Sequence, residues 1–94
     1  MALTTAEIDA RIRAAYFQLA PRRQAWVGMV DLRALLADIS HAEIDDTLRH
    51  MSNTDDRRVF LVPESNRKVL TQAHHDAAVR FGGDDNHLLV ILPD

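Results

Sequence analysis

Leu32-Arg33-Ala34-Leu35-Leu36-Ala37-Asp38-Ile39-Ser40-His41-Ala42-Glu43-Ile44-Asp45-Asp46-Thr47-Leu48 is the stretch that decides the fold. Leu32, Leu35, Leu36 and Ile39 recur at helical spacing and predict a helix that ends within a residue or two of Asp38. Directly beyond it, Ser40 and Glu43 have the spacing of a capping box, and Ile39 with Ile44 that of a hydrophobic staple, so a new helix starts at Ser40. Ile44, Leu48 and Met51 then face inward and turn Glu43, Asp46, Arg49, His50 and Asn53 toward solvent. Two helices joined by a tight turn are the centre of the molecule.

Upstream, Thr4 and Glu7 form a second capping box, flanked by a Leu3–Ile8 staple, and Ile8, Ile12, Ala15, Tyr16 and Leu19 make one apolar stripe. This helix stops near Ala20, because Pro21 disfavours helical conformation in the residue before it. Gln24-Ala25-Trp26-Val27 reads as a short strand, and Gly28 caps the helix that carries Leu32. Tyr16 and Trp26 both fall on or beside apolar stripes, so core packing is expected of them rather than base stacking.

Downstream, Arg57-Arg58-Val59-Phe60-Leu61-Val62 is rich in β-branched and aromatic residues and is closed by Pro63, which predicts a strand. Glu64-Ser65-Asn66-Arg67 supplies a turn, and Lys68-Val69-Leu70 is expected as the short return strand of a hairpin. Thr71 caps a fourth helix through Ala73, Ala77, Ala78 and Phe81, which Gly82-Gly83 ends. His87-Leu88-Leu89-Val90-Ile91-Leu92 is a last strand, apolar on both faces and so expected to be covered on both. The fold class is α+β: three helices with a helix-turn-helix and a β-hairpin, plus a C-terminal helix and strand, in one domain with its core at 4–71 and an extension at 72–94.

Helix, short strand, helix, tight turn, helix and hairpin is an order that resembles the winged-helix superfamily, and the whole chain resembles small bacterial winged-helix proteins with an added C-terminal helix and strand. That resemblance implies duplex DNA as partner, with the helix after Ser40 at the groove and the hairpin as a basic wing. The positions it picks out are Thr47, Arg49 and His50 on the helix and Arg57, Arg58, Asn66, Arg67 and Lys68 on the wing, in a dimeric transcriptional regulator. A minority of such domains bind proteins instead, and an adaptor without DNA binding is the alternative. The sequence departs from the DNA-binding pattern in one respect: Glu43, Asp45 and Asp46 crowd the first two turns of the presumed recognition helix, where carboxylates repel phosphates.

Composition narrows the function classes. Ninety-four residues with 47% hydrophobic and 27% charged residues suit one globular core. The net charge of -3 is unlike a domain that holds nucleic acid by electrostatics alone, and the positive excess lies at residues 1–24 and 54–71. The chain has no cysteine, which excludes thiolate zinc sites, disulfides and thiol nucleophiles, and fits a reducing cytoplasm. The N-terminal segment lacks an apolar signal core, and the run Leu88-Leu89-Val90-Ile91-Leu92 is too short to span a bilayer, so neither export nor a membrane partner is expected.

Five histidines without ligand spacing, with His74 and His75 adjacent, give no metal site, and no nucleophile elbow or phosphate loop is present. No catalysis and no cofactor are therefore expected. A homodimer is expected through the strand at 88–92, whose open edge would otherwise invite aggregation.

Overall fold

The computed structural model describes residues 3–55 and 58–92, and places them in an α+β fold of 38 × 29 × 26 Å. Helix α1 (Thr5–Leu19) starts at the Thr4 capping box: Glu7 N–H donates to Thr4 Oγ1 (3.1 Å), and Thr4 N–H donates to Glu7 Oε1 (3.0 Å). The Thr4 backbone bond, and secondly its side chain, hold the Glu7 carboxyl below the ordinary glutamate range. A carboxyl lowered in the folded state contributes stability above its ordinary value and loses it as pH falls through the folded one. The melting temperatures of the native chain and Glu7→Gln should therefore differ at neutral pH and converge in acid, a comparison that pH-dependent circular dichroism makes directly.

Strand β1 (Val27–Gly28) leads into helix α2 (Met29–Leu35), and Ser40 caps helix α3 (His41–Thr54). Here only half the expected reciprocal box forms. Glu43 N–H donates to Ser40 Oγ, while the Glu43 carboxylate accepts from the Ser40 hydroxyl. Ile8, Ile12 and Tyr16 of α1, Leu32 and Leu36, and Ile44, Leu48 and Met51 of α3 form one buried cluster, as the stripes predict.

Strand β2 (Val59–Val62) is followed by a 3-10 turn (Arg67–Val69), helix α4 (Gln72–Ala77), strands β3 (Val79–Phe81) and β4 (Asp84–Asn86), and strand β5 (Leu88–Ile91). The three-stranded sheet has the order β1-β5-β2 and is antiparallel throughout, with Val27 opposite Leu89, Phe60 opposite Val90 and Leu61 opposite Leu89. Its inner face, carrying Val27, Val59, Leu89 and Ile91, joins the helical core.

Several expectations are corrected. The return strand at Lys68-Val69-Leu70 does not form: Asn66 Oδ1 accepts from Lys68 N–H (3.2 Å) and Glu64 Oε1 from Asn66 N–H (3.0 Å), so local side-chain bonds hold a turn instead. The partner of β2 is β5, whose consecutive apolar residues can be buried where Val69 stays exposed. The fourth helix is shorter than expected, because Gly82 (φ 63°) and Gly83 (φ 83°) turn a hairpin between β3 and β4 rather than ending a helix.

Finally, β5 pairs within its own chain with β2 along Leu88–Ile91 and with β1 at Leu88 and Leu89, so most of the edge contact that motivated a dimer through residues 88–92 is already taken. Its two faces also differ. Trp26, expected in the core, is 60% exposed on the outer side. No helix among the described residues is long and apolar enough to cross a membrane.

Candidate functional site

The segment between β2 and β5 leans on the helix pair. Arg33 of α2 donates from Nε to the Ala77 carbonyl (2.9 Å) and from Nη2 to Asp45, which is also 3.1 Å from His41 Nδ1. His41 Nε2 lies 2.9 Å from the Asp76 carbonyl oxygen, and Arg49 Nε donates to that of Arg80 (2.7 Å). Three basic side chains of α2 and α3 are thus spent on three carbonyls of the segment between β2 and β5. Helix propensity does not require this arrangement. It follows from placing the bulk of α4 and β3 against the helix pair, which buries Ala77 and Val79 in the main core.

The residues expected at a DNA groove differ in exposure and in what holds them. Thr47 is 3% exposed and its hydroxyl donates to the Glu43 carbonyl, so it reaches no ligand from the surface. Arg49 is held by Arg80 and also by Asp46 (3.1 Å), whereas His50 stays exposed. Arg58 is exposed just before β2; Asn66 and Lys68 are exposed around the 3-10 turn that also contains the Arg67 backbone. Arg57 lies outside the described residues. The return strand expected at Lys68-Val69-Leu70 is replaced by the 3-10 turn, and the arginines of α1 are paired: Arg11 donates twice to Asp38 (2.8 and 3.0 Å), and Arg13 to Asp9 (2.5 Å). The Arg11 hydrogen bond holds the Asp38 carboxyl below its ordinary range.

A different surface is better formed. Trp26 and Phe60, 60% and 39% exposed, stand with Gln24, Val62, Val90 and Leu92 around a shallow hollow of about 310 Å³ on the outer face of the sheet. The register explains the grouping: Phe60 is opposite Val90 on β5, and Trp26 precedes Val27, which is opposite Leu89. The buried Tyr16 hydroxyl donates to the Ala25 carbonyl (2.6 Å), tying the loop before β1 to α1. Gln24 on that loop has a φ of 61°, a left-handed conformation that costs an L side chain about 1 kcal/mol or more. Ala25 is thereby buried and Trp26 turned outward, and Arg22 and Arg23, four and three residues before it in the chain, are exposed.

A second concavity, about 400 Å³, lies between the chain after β2 and the β3–β4 hairpin, with His87, His75 and Arg80 in its wall. His87 is 8% exposed. Its main chain explains the burial, since its N–H donates to the Val62 carbonyl and its carbonyl accepts from Met29 N–H. His74 Nδ1 accepts from Thr71 N–H (3.1 Å) and caps α4. Among the described residues no group of three potential ligands could hold a metal ion.

Fold and surfaces together define a small α+β domain with an open sheet face and a polar cleft. No protein-family model matches the chain, nor does any curated protein or solved structure compared with it.

Proposed function

We propose that this chain is a winged-helix domain acting as a protein-interaction module, with the outer face of its sheet as the contact surface. The winged-helix reading is supported by the element order through β2 and by the sheet order β1-β5-β2. On this reading β5 is the return strand of the wing, and residues 63–87 are inserted at its tip. The exposed pair Trp26 and Phe60 carries the functional reading, because aromatic side chains left open on a sheet are the usual anchors of an interface. The partner segment is an apolar one flanked by carboxylates, since the exposed Arg22 and Arg23 lead into the loop that carries Trp26, while the open side of α3 offers Glu43 and Asp46. Duplex DNA is disfavoured by the same layout, with Thr47 buried and Arg49 already bonded.

Trp26 is the only tryptophan, so its emission reports on this face alone. Titration with a peptide alternating leucine and aspartate should blue-shift that emission, with an affinity that falls as salt rises. A lysine counterpart should not bind. A Trp26→Ala chain, followed through a fluorophore on the peptide, should lose about thirtyfold in affinity, the scale of a hot spot of about 2 kcal/mol. Its stability should change by no more than about 0.5 kcal/mol. Equal binding of the lysine peptide, or tighter binding of duplex DNA that survives Trp26→Ala, would contradict the proposal.

A further inference from the structure

The cleft beside the β3–β4 hairpin contains a buried histidine that no described contact fully satisfies. Glu64 N–H donates to His87 Nδ1 (3.1 Å), so the proton of the neutral ring sits on Nε2. That Nε2 is itself buried and has no hydrogen-bond partner among the described residues, in a side chain more than nine-tenths buried. An unmade bond of this kind is a standing cost that an incoming acceptor removes. The ring contacted edge-on, at 6.0 Å, is that of His75, an exposed residue of the same cleft.

The tautomer also decides what the ligand is not. A metal on Nε2 would need the ring proton on Nδ1, where the Glu64 N–H already points, so His87 is a donor and not a ligand for a cation. Simple anions are disfavoured as well. Among the described side chains of the wall Arg80 is the guanidinium, against the carboxylates of Glu64, Asp84 and Asp85, and Arg80 itself reaches Asp85 only at 3.4 Å. A ligand suited to this wall carries an acceptor for His87 and Arg80 together with more than one positive group for the carboxylates.

We propose that the cleft binds a small basic zwitterion of the lysine or arginine type. Its carboxylate accepts from His87 Nε2–H and the Arg80 guanidinium, and its ammonium and side-chain cation face Asp84, Asp85 and Glu64. The volume of about 400 Å³ is in the lower part of the range of small-molecule sites, roughly 300–1,000 Å³. This site uses none of the residues of the outer sheet face, so it stands or falls separately from the interaction surface.

Thermal unfolding of the whole chain with L-arginine, L-lysine, L-glutamate, acetate and butylamine tests the assignment, with the imidazole nitrogen resonances recorded in parallel. L-arginine or L-lysine should raise the melting temperature with concentration, the folded-to-unfolded ratio growing about a hundredfold at a hundred times its Kd. The His87 Nε2 signal should move in step. L-glutamate lacks the second cation, acetate lacks both, and butylamine lacks the acceptor and the second cation, so each should bind at least about tenfold more weakly for want of one or more matched charge pairs. The exposed double substitution Asp84→Asn with Asp85→Asn should weaken L-arginine about tenfold or more and leave the unliganded melting temperature close to native. Three results would each overturn the proposal: no stabilisation by either basic amino acid, equal stabilisation by butylamine, or binding that leaves the His87 resonance unmoved.

Discussion

Asp45→Ala should lower the unfolding free energy by about 3 kcal/mol, because it removes one partner of a buried ion pair and leaves the other charged. Asp45 is buried at the start of α3, between Arg33 and His41, and Arg33 is itself largely enclosed, with Nη1 buried and without a hydrogen-bond partner among the described residues. Without the carboxylate, Arg33 keeps only its bond to the Ala77 carbonyl. In a domain of this size each kcal/mol moves the melting temperature by roughly 4–8 °C. Denaturant unfolding monitored by circular dichroism measures the loss. Replacing both members, Arg33→Met with Asp45→Leu, should recover most of it, since two apolar groups leave no orphan charge. A double variant no more stable than Asp45→Ala would assign the effect to packing instead.

Leu48→Ala should cost about as much, in the range of about 2–5 kcal/mol, for a different reason. Leu48 is 0% exposed on α3 and belongs to the cluster of α1 and α2 side chains against the sheet. Truncating it removes buried methyl groups and leaves a cavity that rigid helices on several sides cannot close. Phe17→Ala is the matched control. Phe17 is half exposed and touches Tyr16 only edge-on at 5.1 Å, so its loss should cost about 1 kcal/mol. Urea unfolding of the two variants side by side separates a core from a surface position, and near-equal losses would contradict the core as described.

The sequence carried the helical part of this molecule well because caps and stripes are local. Thr4 with Glu7 and Ser40 with Glu43 place two helix starts where they are found, and the inward positions of α1 and α3 follow from their period. The sheet was legible only in part. Which strand pairs with β2 is settled across residues 63–87 by burial, and no local signal separates Lys68-Val69-Leu70 from the strand that wins. Gly82-Gly83 suits a helix stop and a two-residue hairpin equally, and the alternation in Val79-Arg80-Phe81 was the available hint for the hairpin.

The candidate surfaces were the least legible. Trp26 reads as core by composition, yet it precedes an inward Val27 and so faces outward, an inference that needs the strand register. Thr47 looks like a groove contact until the tertiary packing buries it. Cations that look free in the sequence, Arg11, Arg13, Arg33 and Arg49, are paired by residues distant in the chain or one helical turn away.

Amide chemical-shift mapping tests most directly whether the outer sheet face, and not α3, is the contact surface. Uniformly labelled protein is titrated first with the leucine–aspartate peptide and then, separately, with duplex DNA at low salt. The account predicts that the peptide moves amides at residues 22–27, 58–62 and 88–92 and leaves α3 still. Duplex DNA that moves His50 and Asn53 on α3, with the sheet amides unmoved by the peptide, would contradict it.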